Sequence, residues 1–297
     1  MRGIMKFIVT GFILFTSFSS LAQVDFKFNL ETLSDKLDRP WAVSVLPDDS
    51  LVVTERDGDI RLFKDSVLSK GISGLPNVYN AGQGGLLDVI KHPRFKQNNW
   101  LYFTMSVGSA TKNATQLVRA KLVGQTLQNV EIIYRAAPNK KQAYHFAGRM
   151  SFMPDGSLVF GVGDGYFYKE EAQSLDNHLG KIIRLKDDGQ VPKNNPFVGN
   201  KGAKPAIYSY GHRNPQGMFY DQQRKILFSN EHGPKGGDEI NIINPGLNYG
   251  WPEITYGVDY SGAIISEFTH KPGMEQPLLQ WTPSIAPSSM LVYYGNE

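Results

Sequence analysis

Apolar positions along this chain come in short runs, and each run is cut off by a Pro, Asp or Gly turn. Residues 41–46 (Trp-Ala-Val-Ser-Val-Leu) meet Pro47-Asp48-Asp49, residues 50–55 (Ser-Leu-Val-Val-Thr-Glu) meet Asp57-Gly58, and residues 59–63 follow. Runs this short and rich in β-branched residues, with tight-turn chemistry between them, predict three antiparallel strands. The unit recurs in degraded form. Residues 85–90 lead through His92-Pro93 to 100–103, residues 149–152 through Pro154-Asp155-Gly156 to 158–160, and residues 217–220 through Asp221 to 226–228. Helical periodicity is scarce; residues 169–177 read as a short helix or a polar loop.

Leu51, Leu101, Leu158 and Leu227 mark the same point of successive units, at steps of roughly 50 to 70 residues, the size of a small antiparallel sheet repeated as a propeller blade. A two-sheet sandwich is the alternative all-β reading. At this step the chain holds roughly five units. The last, residues 285–294, has barely begun when the sequence ends, which predicts a ring cut short on its C-terminal side.

The first residues change the charge picture. Arg2 and Lys6 precede an apolar stretch over residues 7–21, and Ser20-Leu21-Ala22 supplies small residues for cleavage. Residues 1–22 therefore read as an export signal, too short and too rich in Ser and Thr to span a membrane, and residues 23–297 as one catalytic domain. The whole chain has 31 Lys and Arg against 28 Asp and Glu; without Arg2 and Lys6 the basic residues number 29. A nearly neutral mature protein gives no reason to expect nucleic acid as a partner. An exported protein with no cysteine draws its stability from its core instead of from disulfides.

Chemistry concentrates in Gly-rich loops. Ser229-Asn230-Glu231-His232-Gly233-Pro234-Lys235-Gly236-Gly237-Asp238-Glu239-Ile240-Asn241 is a turn-forming run that offers backbone carbonyls and carboxylates together, as a hard cation such as Ca²⁺ requires. His145 is the best candidate base, because a neutral imidazole is available near neutral pH. Asp164 ends Gly161-Val162-Gly163-Asp164 and can accept the other ring N–H of a histidine. Arg213 and Asn214 sit between Gly and Pro, where a guanidinium fork and an amide can meet the oxygens of a carboxylate. The glycines around Gln83 let a flat ligand approach the backbone closely. Gly161-x-Gly163-x-Gly165 lacks the spacing and βαβ setting of a dinucleotide loop, and no Ser or Thr follows Lys235 to make a phosphate loop.

Taken with Arg39-Pro40-Trp41, Gly82-Gln83-Gly84-Gly85, residues 145–149, residues 211–215, Asn248-Tyr249-Gly250-Trp251-Pro252 and residues 283–288, the chain from about Leu33 onward resembles the soluble quinoprotein glucose and aldose sugar dehydrogenases, the glucose/sorbosone dehydrogenases. The resemblance implies a six-bladed β-propeller of four-stranded antiparallel blades, with pyrroloquinoline quinone and Ca²⁺ as cofactors. It implies His145 as catalytic base, Asp164 as its partner, Arg213 as stabiliser of charge on the cofactor, and Gln83, Arg213 and Asn214 as cofactor contacts. Carbonyls of Gly233 and Pro234 would ligate the catalytic Ca²⁺, and Glu239 and Tyr249 a second, structural one. The reaction implied is oxidation of an aldose at C1 to its lactone, with an external electron acceptor, in the periplasm or outside the cell. A homodimer is compatible with the resemblance, though no interface is legible. A metal-dependent propeller lactonase and a non-catalytic binding propeller are the other readings.

Overall fold

The computed structural model describes residues 29–295, so the export signal expected over residues 1–22 lies outside the described residues. Residues 29–35 carry no helix or strand and group apart from residues 36–297, whose fold follows.

Four antiparallel sheets of four strands each account for the regular structure. Sheet one holds β1 (Pro40–Val45), β2 (Leu51–Glu55), β3 (Ile60–Lys64) and β4 (Val67–Leu68). Sheet two holds β5 (Leu86–Lys91), β6 (Trp100–Ser109), β7 (Lys112–Val123) and β8 (Thr126–Arg135), with α1 (Phe95–Asn98) in its first turn. Sheet three holds β9 (Met150–Phe152), β10 (Leu158–Val162), β11 (Lys181–Leu185) and β12 (Ile207–Tyr210). Sheet four holds β13 (Pro215–Asp221), β14 (Ile226–Glu231), β15 (Asp238–Ile242) and β16 (Leu279–Trp281). Within each sheet the strands run in chain order, the simple meander of a propeller blade.

Three apolar clusters bind neighbouring sheets together, and strand alternation decides which residue joins which. From β6, Leu101, Phe103 and Met105 pack with Val52 and Ile60 of sheet one, whereas Tyr102 turns the other way, to Leu158, Phe160 and Ile183 of sheet three. Val159 and Ile182 in turn face Met218 and Leu227 of sheet four. Covering both faces explains why the middle strands read as unbroken apolar runs; all five residues of β10 are buried. The tight turns between first and second strands share one device. Asp48 accepts hydrogen bonds from the N–H and hydroxyl of Ser50, and Asp155 from those of Ser157.

The expectation of six blades is corrected: the described residues form four. Chain that the repeat step assigned to further blades is spent on connections, above all residues 243–278, which carry no strand between β15 and β16. Residues 285–294, expected to open another unit, form no strand. The N–H groups of Ile285 and Ala286 go to the Asp238 carboxylate, at 2.8 and 2.7 Å, instead of to a ladder. The segment expected as helix or loop is a short 3-10 turn, Lys169–Ala172. The first strands β1, β5, β9 and β13 line a cavity of about 440 Å³ with Ser289 and Met290.

Candidate active site

In an antiparallel hairpin the start of the first strand and the end of the second lie at one end. The chemistry-bearing residues use this rule. Gln83 precedes β5, His145 precedes β9, Arg213 and Asn214 precede β13, Asp164 follows β10, and Glu231 ends β14.

His145 and Asp164 are both buried, and His145 Nδ1 lies 2.6 Å from Asp164 Oδ1. The carboxylate accepts a hydrogen bond from Nδ1–H, which leaves Nε2 as the nitrogen able to take a proton. Asp164 is held from two further directions: its Oδ1 accepts the Tyr166 N–H at 2.7 Å and its Oδ2 the Trp251 indole N–H at 2.8 Å. Burial, chiefly, pushes the His145 imidazole below its usual pKa; Arg213 and Lys140 push the same way, and Asp164 opposes them.

The backbone around His145 is strained. Gln142, His145, Ala147 and Tyr166 have φ of 65°, 46°, 54° and 69°, a region bulky residues rarely enter and which gathers at functional sites. The His145 N–H is caught by Gln83 Oε1 at 2.8 Å. Gly163 makes the close approach possible, since a Cβ there would stand 2.4 Å from the His145 carbonyl oxygen.

Arg213 joins this pair to the Gly-rich loop. Its carbonyl accepts the Asp164 N–H at 2.8 Å, and its own N–H donates to Glu231 Oε2 at 2.6 Å. Its Nη1 donates to the carbonyls of His232 and Gly233 at 3.0 and 2.7 Å, and the guanidinium lies 5.4 Å from the Trp251 ring centroid. Arg213 Nε is buried with no partner, a donor left over for a bound acceptor. Asn214 and Gln83 line a cavity of about 270 Å³ together with Arg56, Phe146 and His232. Amide, imidazole and guanidinium groups over apolar walls suit a planar anionic ligand such as a tricarboxylated quinone.

A second, smaller cavity of about 10 Å³ is lined by Arg213, Glu231, Gly233, Glu239, Tyr249 and Trp251 among others, room for about one water-sized group. Burial first, and the neighbouring Glu231 charge second, push the Glu239 carboxyl well above the ordinary range. Two carboxyl groups crowded in this way fit a cation between them. The Tyr249 hydroxyl donates to the Ile242 carbonyl at 2.7 Å and accepts the Asn244 N–H at 2.8 Å, so its backbone carbonyl is the oxygen it can offer. Among the described residues no group of three or more His, Cys, Asp or Glu is placed to hold a metal ion, so any Ca²⁺ would rely on carbonyl oxygens as well. Gly233 lines this cavity; Pro234 is buried in the same loop but does not. Asp238 braces the loop, accepting the Gly233 N–H at 2.9 Å.

Four participants carried no role in the sequence reading. Trp251 and Tyr166 hold Asp164, and Glu231 holds Arg213 and also His212, whose Nδ1 is 2.9 Å from its Oε1. Lys140 is buried under the site, its ammonium 3.6 Å from the Phe146 ring centroid, and burial lowers it to about 7. The available signal was the Trp of the Asn-Tyr-Gly-Trp-Pro run, a large donor in a glycine-rich loop.

The sequence model of the family described as Glucose / Sorbosone dehydrogenase matches residues 37–297. Aldose sugar dehydrogenase YliI of Escherichia coli is 41% identical over 276 residues, spanning 91% of this chain and 74% of that protein. The apo crystal structure of the soluble aldose sugar dehydrogenase from E. coli superposes with a TM-score of 0.85 at 40% identity, over 88% of this chain and 77% of that one. A structure of an aldose sugar dehydrogenase from Streptomyces coelicolor, described as its PQQ-bound form, superposes with a TM-score of 0.69 at 31% identity, over 85% and 70% of the two chains. The chain belongs to the glucose/sorbosone dehydrogenase family.

Proposed function

We propose that this family member is a quinone-dependent aldose dehydrogenase, and the observation that carries the reading is the buried His145–Asp164 pair, 2.6 Å from Nδ1 to Oδ1. Pyrroloquinoline quinone would supply the two-electron acceptor and Ca²⁺ the Lewis acid that polarises it. His145 Nε2 takes the proton of the aldose C1 hydroxyl as the C1 hydride departs, and the sugar leaves as its lactone. Asp164 keeps the imidazole in the correct tautomer and stabilises the imidazolium that forms. Burial of the imidazole keeps it neutral, and so ready to act, below its usual pKa. Arg213, with Nε unpaired, would supply positive charge to a bound acceptor as it gains negative charge. Gln83 and Asn214 line one cavity together and would contact the acceptor from it. Carbonyls of Gly233 and Pro234 are the proposed ligands of a catalytic Ca²⁺, and Glu239 with Tyr249 of a structural one. The electrons would pass to an external acceptor, and an export signal over residues 1–22 would put the reaction in the periplasm or outside the cell.

The test is reconstitution. Purified protein with Ca²⁺, pyrroloquinoline quinone and glucose should reduce an added dye and release gluconolactone, and omission of either cofactor should stop both. A protein that binds no quinone at saturating Ca²⁺ would overturn the reading.

A further inference from the structure

Beneath the His145–Asp164 pair the chain buries a positive charge that the chemistry above does not use. Lys140 is 3% exposed, and its ammonium bonds only to neutral groups. It donates to Asn113 Oδ1 at 3.0 Å and to the Gln142 carbonyl at 3.1 Å, and it stands 3.6 Å from the Phe146 ring centroid. The Asn113 amide is fixed in this sense, because its Nδ2 donates to the Ser109 carbonyl at 2.8 Å. A cation taken out of water without a bonded anion costs stability. Such groups gather at functional sites, where the charge has a use.

Lys140 packs against the neighbours of both members of the pair. Its stem runs along the residue after Asp164: a Cβ on Gly165 would stand 2.6 Å from Lys140 Cδ. Its ammonium faces the ring of Phe146, the residue after His145. The Lys140 N–H and carbonyl pair with Asn113 in β7 at 2.8 and 2.9 Å. From that anchor the chain is held step by step to His145. Gln142, with φ at 65°, gives its N–H to the Ala110 carbonyl at 2.8 Å and its carbonyl to the ammonium. The Ala143 carbonyl accepts the Gln83 N–H at 2.8 Å.

The charge also acts through space. Asp164 after β10 favours the protonated His145, Arg213 before β13 and Lys140 oppose it, and Tyr166 meets the imidazole with an uncharged ring edge. Asp164, in turn, is the charged group that acts on Lys140. Burial brings the Lys140 amine down to about 7, so it still holds its proton in the range below 7 where an imidazole would otherwise gain one.

Building on the proposed aldose oxidation, we propose that Lys140 is a positioning residue for the base: its ammonium pins the strained turn that carries His145, and its charge holds the resting imidazole neutral, ready for the proton of the sugar.

Two variants cancel the charge by different routes: Lys140→Met deletes it, and Asn113→Asp gives it a bonded anion. Proton NMR of the ring hydrogens of the six histidines, on protein without quinone, follows their titration; the His145 signal is the one lost in His145→Gln. In both variants its midpoint should rise by about one pH unit, the effect of one nearby charge. The acid limb of kcat/KM in the reconstituted enzyme should move up with it. A lysine that only packs would lower activity and leave the midpoint in place. A midpoint unmoved in both variants, in an enzyme that oxidises glucose, would overturn the role of Lys140 and leave the dehydrogenase standing. If Lys140→Met does not fold, Asn113→Asp decides. Failure of wild type to oxidise any aldose would end the dehydrogenase, and the NMR midpoints would still decide what Lys140 does to His145.

Discussion

At the scale of single residues, Asp164 is the hinge of the site. One oxygen serves His145 Nδ1 and the Tyr166 N–H, and the other the Trp251 indole. Trp251→Phe keeps the ring and deletes the indole donor. Charge then gathers on the carboxylate and favours the protonated imidazole, so the His145 pKa rises. Wild type should hold its activity below the usual histidine range, because burial lowers the imidazole and activity fails only as pH falls through that lowered value. In Trp251→Phe the acid limb of kcat/KM should move to higher pH, with a loss at the plateau of about tenfold, the worth of one hydrogen bond to a charged group. A pH–rate profile that loses height without moving would show that Trp251 only packs.

At the scale of elements, the middle strands were legible because both of their faces are covered. Residues 158–160 and 226–228 read as strands and lie within β10 and β14. The outer strands were missed, because β8 alternates exposed with half-buried positions and carries Gln128, Asn129 and Glu131. The expected strand over residues 285–294 fails for a local reason: Asp238 captures its N–H groups, and Pro287 has none to give. The pairing of base and carboxylate was readable from two motifs, but Trp251 and Asp164 are 87 residues apart and meet only through the order of the sheets. The end of β10 also makes a prediction. Gly163→Ala would set a Cβ 2.4 Å from the His145 carbonyl and 3.0 Å from Asn214 Oδ1, so the base must shift. Since displacements on the scale of an ångström cost about 100-fold, kcat should fall by about that factor while melting changes far less. Unchanged turnover would show that the 145–147 segment gives way freely.

At the scale of the whole molecule, buried titratable groups set how stability follows pH. His178 accepts the Ala137 N–H on Nδ1 at 2.9 Å, which needs an unprotonated nitrogen, and burial lowers it to about 4. The unfolded chain takes that proton near 6.5, so stability is lost as pH falls from about 6.5 towards 4. Lys140 and Lys181 are lowered to about 7 by burial. Between about 7 and 10.5 the unfolded chain holds more protons on them than the folded one, so stability rises with pH there. Tyr102, raised to about 12 by burial, acts oppositely above about 10. Glu239, kept protonated by burial and the Glu231 charge, acts against the His178 gain below neutrality, so thermal melts should rise clearly only from about pH 7 to 10 and fall beyond 10. A melting temperature highest near pH 6 and falling towards pH 9 would contradict this ledger of buried groups.

The central claim is that His145 takes the proton that frees the hydride. It is tested most directly by mixing glucose anaerobically, without dye, with His145→Ala and wild type, each loaded with pyrroloquinoline quinone and Ca²⁺, and following the cofactor spectrum. Both proteins should bind the quinone, wild type should convert it to the reduced spectrum, and the variant should do so at least about 100-fold more slowly. Reduction by His145→Ala at the wild-type rate would show that the base lies elsewhere.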